Sequence, residues 1–311
     1  MVLEQDKLSI VSTVYNSKEY LEIFISKCID ALAQISCTDF EFVFINDGSP
    51  DDSLDFLLNK KKKIPQITIL DLSRNFGHHY AAVAGLHYAK GGHVFLADCD
   101  LEVSPEILVD FYRVMAKENA DVVYGFQEKR KGKFLEKFFG SIFWKGLNYF
   151  SDIEIPKNIV TERLMTQRYV EKLLSLGDRN LFLGGMMYWT GFNQIGVAVS
   201  KSLRKEQSTY STMKRLKLLL DAITSFTTFP LKLLFYFGGL LSAVSFSWGA
   251  ILVFQKLMHP ESYLSGYVSM ILVVVFFSGV IEISLGVLGL YLGKVFKQVQ
   301  SRPLYIVKDI Y

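Results

Sequence analysis

Hydrophobic positions follow two different patterns along this chain. Before Phe229–Pro230 they come as short runs rich in β-branched residues, at Ser9–Val14, Glu41–Ile45, Thr68–Asp71 and His93–Ala97. Stretches with helical spacing separate these runs, at Lys18–Gln34, Ser53–Lys61 and Tyr80–Ala89. Strands alternating with helices predict an α/β domain built on a parallel sheet. Beyond Pro230 the alternation stops. From Leu231 to Phe254 only Lys232 carries charge, and from Leu264 to Leu292 only Glu282 does. Each run reaches the roughly 20 apolar residues that cross a bilayer. Two buried core helices are the other reading, but such helices rarely stay apolar on every face for so long. The short link Gln255–Tyr263 makes the pair a hairpin.

Charge orients this arrangement. Lys214, Arg215 and Lys217 precede the first apolar run, while Lys294, Lys297, Arg302 and Lys308 follow the second. The positive-inside rule therefore puts both flanks in the cytoplasm. Met1–Ser9 has polar and acidic residues where a signal peptide has a basic start and an apolar core, so the first domain is expected to stay cytoplasmic. The expected layout is a catalytic-size domain over 1–210, a juxtamembrane amphipathic helix over 211–229, two spans over 230–292 and a cytoplasmic tail over 293–311. A multi-pass protein of the inner (plasma) membrane follows.

Composition adds limits. Half of the 311 residues are hydrophobic and the mean hydropathy is +0.24, which suits a soluble domain joined to a few spans. A net charge of +3 gives no reason to expect a nucleic-acid partner. The three cysteines, Cys28, Cys37 and Cys99, have no CxxC spacing, which argues against zinc or a disulfide framework.

In a parallel sheet, ligands collect beyond the carboxyl ends of the strands. Polar clusters stand there in all four cases: Tyr15-Asn16, Asn46-Asp47-Gly48-Ser49, Arg74-Asn75 and Asp98-Cys99-Asp100. Neither GxGxxG nor GxxxxGK[ST] occurs, so no dinucleotide fingerprint or P-loop accounts for them. Asp98 and Asp100 can point two carboxylates at one hard cation, Mg2+ or Mn2+, with phosphate oxygens completing the shell, while Cys99 faces away. Two aspartates in a surface turn are the plainer alternative. Asp47 can accept hydrogen bonds from a nucleoside, or simply belong to a tight turn.

Taken in order, Val11-Ser12-Thr13-Val14-Tyr15-Asn16, Asn46-Asp47-Gly48-Ser49, Ser73-Arg74-Asn75-Phe76-Gly77, Ala84-Gly85-Leu86 and Asp98-Cys99-Asp100-Leu101-Glu102 make a specific pattern. It resembles glycosyltransferase family 2, and within it the polyprenyl-phosphate glycosyltransferases. The similarity continues through Val122-Val123-Tyr124-Gly125, Arg163-Leu164, Trp189-Thr190-Gly191-Phe192 and Ser208-Thr209-Tyr210 into the paired apolar runs. The resemblance implies a GT-A fold and an inverting transfer from a nucleotide-sugar, UDP-linked by preference, to a polyprenyl (undecaprenyl) phosphate for the cell envelope. By position, Thr13, Tyr15, Asn16, Asp47, Arg74, Asn75, Gly77 and Asp98 would bind the donor. Asp98 and Asp100 would hold the metal. Arg130 and Arg163 would meet the acceptor phosphate. His78 and His79 either compensate there as donors for positive charge that this sequence lacks or are solvated loop histidines. A homo-oligomer is also in keeping with such relatives.

Several positions depart from that pattern: Asn46 and Thr13 replace a common aspartate and proline, Gln127 an arginine and Thr209 a lysine. Lys129–Phe150 mixes six basic residues with aromatics such as Phe138, Phe139 and Trp144, suiting a helix in an anionic membrane interface; a basic solvent face over an apolar core face would look the same. Glu282 is costly in hydrocarbon and should face a partner helix or a polar pocket, with Ser242, Ser245 and Ser247 as candidate hydrogen-bond partners and a subunit contact as the preferred reading. A processive polysaccharide synthase would carry a Q-x-x-R-W element and more spans, and neither is present. A different acceptor, or a non-catalytic module that binds nucleotide sugar or lipid phosphate, remains the alternative.

Overall fold

The computed structural model describes residues 7–127, 158–181, 183–200, 229–258 and 266–311. Arg130, the Lys129–Phe150 segment, Thr209 and the expected juxtamembrane helix lie outside the described residues. The chain divides into two units. One holds the sheet and the last eleven residues, Ser301–Tyr311; the other holds the two long apolar helices.

The first unit runs β1 (Leu8–Val14), α1 (Lys18–Gln34), β2 (Phe40–Asn46), α2 (Ser53–Lys61), β3 (Ile67–Leu72), α3 (His78–Tyr88), β4 (His93–Leu96) and α4 (Ile107–Glu118). It continues with β5 (Val122–Phe126), β6 (Ile159–Thr166), α5 (Gln167–Ser175), α6 (Leu183–Trp189) and β7 (Gln194–Ala198). Strands β3, β2, β1 and β4 are mutually parallel neighbours, as the alternation predicts.

The sheet as a whole is mixed rather than parallel. Its order is β7-β5-β6-β4-β1-β2-β3-β8, with β6 antiparallel to both β4 and β5, and β8 (Val307–Ile310) antiparallel to β3. The expected tail over 293–311 therefore ends as an edge strand. That strand has only four residues and alternates weakly, so hydrophobic patterning does not announce it.

The central strands are apolar on both faces, as sheets covered on two sides require. Phe42 and Phe44 stack 5.7 Å apart on one face, and Phe24 of α1 meets Phe44 edge-on at 6.2 Å. Val11 and Ile45 take the other face, where α3 lies so close that a Cβ at Gly85 would come within 2.4 Å of both side chains. Phe95 of β4 packs edge-on against Phe111 of α4 at 6.3 Å.

The second unit contains α7 (Phe229–Met258) and α8 (Tyr267–Gln300). Their stretches long and apolar enough to cross a membrane are Leu233–Ile251 and Phe276–Gln300, neither of them buried in the protein. The second lies further along the chain than the expected run to Leu292, because α8 continues unbroken past the lysines. At 1.5 Å per residue, α8 is about 51 Å long, more than the hydrocarbon thickness alone requires. Ser247 donates to the carbonyl of Ala243 in its own helix at 2.9 Å, so its hydroxyl is satisfied locally.

Candidate active site

The polar clusters converge at the carboxyl ends of β1–β4, where the strands stop and their loops turn outward. The tightest part joins the turn after β2 to the loop after β3. Asp47 is buried, and its two carboxylate oxygens accept from the backbone N–H groups of Phe76 at 2.7 Å and Gly77 at 2.9 Å. Burial pushes its carboxyl above the usual range, while those two amides and the nearby His78 and Arg74 pull the other way. Gly48 has φ +64°, and a Cβ there would lie 2.7 Å from the backbone nitrogen of Asn75. Only glycine admits that approach. Asp47 thus holds the Ser73–Gly77 loop in place.

Thr13, Tyr15 and Asn16 close this side from β1. Tyr15 is 52% exposed, and Asn16 takes φ +52° with its N–H 3.4 Å from Ser49 Oγ. The guanidinium of Arg74 stacks on the Phe76 ring at 4.0 Å and donates to the Asn75 carbonyl at 2.9 Å, leaving a positive group at the rim. Asn46 points the other way: its amide donates to Asp71 Oδ1 at 2.7 Å and its oxygen accepts from Ser49 N at 3.3 Å. A carboxylate at position 46 would face Asp71 with like charge, so the amide suits this environment.

The loop after β4 carries the acidic pair. Asp98 and Asp100 are half-exposed, while Cys99 between them is buried with Sγ 3.2 Å from the Thr13 carbonyl. Burial pushes the Cys99 thiol up to about 12, so it is no nucleophile. The alternation expected of Asp98-Cys99-Asp100 is present. Leu101 has φ +59°, a conformation uncommon for a leucine, and Asp100 Oδ1 accepts from Glu102 N at 3.0 Å. Carboxylate oxygens projecting from one turn match Mg2+ or Mn2+ in donor type, provided that diphosphate oxygens supply the remaining ligands. Among the described residues no group of three or more His, Cys, Asp or Glu is placed to hold an ion unaided.

His78 links the two halves. Its Nδ1 lies 2.9 Å from Thr13 Oγ1 and its Nε2 lies 3.6 Å from Asp98 Oδ1. Proline at position 13 would lack this hydroxyl, so Thr13 and His78 form a matched pair. His79 is half-buried, and burial together with the neighbouring His78 lowers its pKa below the ordinary histidine range.

Arg163 on β6 sits beside Leu96 of β4 and Tyr124 of β5, with 5% exposure. It donates to the carbonyls of Thr161 at 3.1 Å and Val160 at 3.2 Å. Among the described residues no carboxylate lies within ion-pair distance of it. Burial lowers its pKa, against Tyr169, Glu162, Tyr124 and Asp98, whose fields favour the charge. A buried guanidinium held by neutral carbonyls is a strong attractor for an anion.

The model of Glycosyl transferase family 2 matches residues 9–174, which spans every one of these strand ends. The chain belongs to glycosyl transferase family 2. This family 2 protein is 35% identical to an uncharacterized glycosyltransferase of Bacillus subtilis, over 97% of this chain and 94% of that one. It is 32% identical to a prophage-derived bactoprenol glucosyl transferase of Shigella flexneri, over 97% of both chains. A mannosyltransferase from Pyrobaculum calidifontis, solved with GDP-Man and Mn2+, shares the fold with a TM-score of 0.50 at 12% identity, covering 94% of this chain and 86% of that one. The mixed α/β sheet is the GT-A fold.

Of the site residues that the sequence singles out, the structure brings Thr13, Asp47, Arg74, Asn75, Gly77, His78 and Asp98 into one connected group. The charge of Asp98 also reaches Arg163 and His79, where it favours their protonated forms. Of the supporting residues, Asn46 and Ser49 belong to the polar cluster that the sequence marks after β2, whereas nothing in the sequence assigns them or Asp71 their bracing contacts. Their partners are 25 or more residues away or turn backbone, and no local spacing reveals them.

Proposed function

We propose that this enzyme transfers a sugar from a nucleotide-sugar to a polyprenyl phosphate at the cytoplasmic face of the membrane, giving an inverted polyprenyl-phosphate-sugar for the cell envelope. The observation that carries this reading is the similarity to bactoprenol glucosyl transferases over 97% of the chain, which takes in the apolar helices as well as the sheet. A UDP-sugar is the favoured donor, from the resemblance to bacterial members of the group.

On this reading the donor lies across the ends of β1–β3, against Thr13, Tyr15, Asn16, the Asp47 turn, Arg74, Asn75 and Gly77. Arg163 and Arg130, with His78 and His79, draw the acceptor phosphate toward the sugar. One phosphate oxygen attacks the anomeric carbon from the face opposite the diphosphate. The bond from that carbon to the diphosphate oxygen breaks, and its electron pair leaves with the nucleoside diphosphate. Inversion follows from this single displacement. A lipid phosphate is already anionic near neutral pH, its second pKa being about 6 by analogy with phosphorylated side chains, so no strong general base is needed. Mg2+ or Mn2+, held by Asp98 and Asp100, would offset charge on the departing diphosphate.

Helices α7 and α8 serve as the spans of a multi-pass protein with both flanks cytoplasmic. Glu282, exposed on α8, fits a contact between subunits of a homo-oligomer.

The test is a transfer assay on purified protein in detergent with undecaprenyl phosphate, Mg2+ or Mn2+ and a panel of nucleotide sugars, read by mass spectrometry. A lipid product heavier by one sugar is expected. Hydrolysis or nucleotide binding without any lipid product, across the whole panel, would overturn the acceptor.

A further inference from the structure

The end of the chain returns to the sheet at the edge next to the donor side. The carbonyl of Arg302 accepts from Arg179 Nη1 at 2.7 Å, and Tyr305 lies against His87 of α3 with ring centroids 6.1 Å apart. Ile306 accepts at its carbonyl from Ser73 N at 3.0 Å, which ties the segment to the loop that Asp47 also holds. Ile69 and Tyr311 then exchange two backbone hydrogen bonds, each 3.0 Å.

The pairing of β8 with β3 is irregular at one place. Asp309 is opposite Asp71 and Val307 is opposite Leu72, so Lys308 is an extra residue between two register positions. Such a bulge releases a side chain from strict alternation and re-aims it. Here Lys308 Nζ lies 3.6 Å from Asp71 Oδ2. The other oxygen of Asp71, which is buried, accepts from Asn46. Asn46 in turn receives Ser49 N and directly precedes Asp47. An uninterrupted polar chain thus runs from Lys308 through Asp71 and Asn46 to the Asp47-Gly48-Ser49 turn. Both ends of the Asn46 amide are engaged, which fixes its rotamer and the turn that it braces.

We propose that Lys308 and Asp71 are positioning residues for donor binding: through Asn46 they hold the turn after β2 in the shape that receives the nucleotide, so the last residues of the chain set donor affinity. This rests on the assignment of that turn to the donor. The ion pair is partly exposed at Lys308, which limits its strength, whereas the Asp71 side chain is only 6% exposed, so water does little to replace its partners. Asp71 therefore carries the larger effect.

The experiment compares full-length native protein with Lys308→Met, Lys308→Arg and Asp71→Asn, none of which removes a backbone bond of β8. Donor KM and kcat are measured at saturating undecaprenyl phosphate, nucleoside diphosphate binding by calorimetry, and Tm alongside. Lys308→Met should raise donor KM and weaken nucleotide binding about 3-fold, and Asp71→Asn about 10-fold, with kcat nearly unchanged. Lys308→Arg should restore native values. Unchanged donor KM and nucleotide affinity in both Lys308→Met and Asp71→Asn would overturn the proposal. So would a fall in Tm and kcat with donor KM unmoved, which marks the strand as structural only. Calorimetry separates this from the functional reading: native protein that binds nucleotide but transfers nothing to lipid refutes the acceptor, while the Lys308 effect is still read in binding.

Discussion

Glu41 and Asp100 stand near opposite ends of the same sheet, and their surroundings differ in kind. Glu41, where β2 begins, is buried and accepts from Lys7 Nζ at 2.6 Å, Ser9 Oγ at 2.6 Å and Lys90 N at 2.7 Å. Its partners come from the chain itself. Asp100, in the loop after β4, is half-exposed and projects from a turn whose next residue, Leu101, has a positive φ. At the amino end Glu41 is enclosed by its own chain, whereas at the carboxyl ends Asp98 and Asp100 keep part of their surface open to solvent. Glu41 and Asp100 therefore differ in their access to solvent, while Asp47, as buried as Glu41 and likewise held by its own chain, shows that burial and internal partners do not exclude a place among the strand-end residues.

The contrast is broken most severely if Asp100 is dispensable. Asp100→Asn should reduce transfer by on the order of 10²-fold or more with Tm essentially unchanged, since on the proposed reading it removes a charge that acts on the leaving diphosphate. Chelation of divalent ions should reduce native activity comparably. Full activity of the variant would remove Asp100 from the chemistry. At the other end, Glu41→Gln should leave kcat and donor KM intact but destabilise the sheet unit by about 1.5–3 kcal/mol, the range for losing hydrogen bonds to a buried charge. Thermal unfolding in detergent reads this directly. A variant that lost activity without losing stability would erase the distinction between the two ends.

Gly48→Ala tests the seam between stability and function. The added methyl meets the Asn75 backbone and the residue must keep a left-handed conformation, so a loss of about 1–2 kcal/mol is expected together with weaker nucleotide binding. Normal nucleotide affinity in a destabilised Gly48→Ala protein would mean that the turn is not part of the donor site.

Much of this arrangement was legible in the amino-acid sequence. Lys18–Gln34 and Ser53–Lys61 are helices over the residues that their spacing indicates, and the strands β1–β4 differ from expectation by no more than a residue at either end. Their apolar runs are buried on both faces and so leave a clear signal. The remaining strands left less. β6 places Thr161, Glu162 and Arg163 among its apolar residues, because a strand that lines a site trades hydrophobic positions for chemistry. Strand direction, set by how a loop returns, has no local signature, so nothing in the sequence announces that β6 and β8 run against the other six strands. The same holds for Asp47, whose partners Phe76 and Gly77 lie 29 and 30 residues away.

The smallest expected effect concerns acid. Burial pushes the Glu41 carboxyl up, but the hydrogen bonds from Lys7, Ser9 and Lys90 outweigh it and hold the group below its ordinary range in the folded protein. A carboxyl depressed by folding contributes stability that is present above its unfolded pKa, about 4.3, and is lost as pH falls through the lower folded value. Unfolding midpoints of native protein should therefore drop more steeply below that pH than those of Glu41→Gln, which has no proton to gain at this position. Above it the two curves should run parallel, offset by the hydrogen bonds that the amide fails to replace. Parallel curves through the acid range as well would mean that the Lys7, Ser9 and Lys90 contacts do not favour the charged form, and Glu41 would then differ from Asp100 by its burial alone.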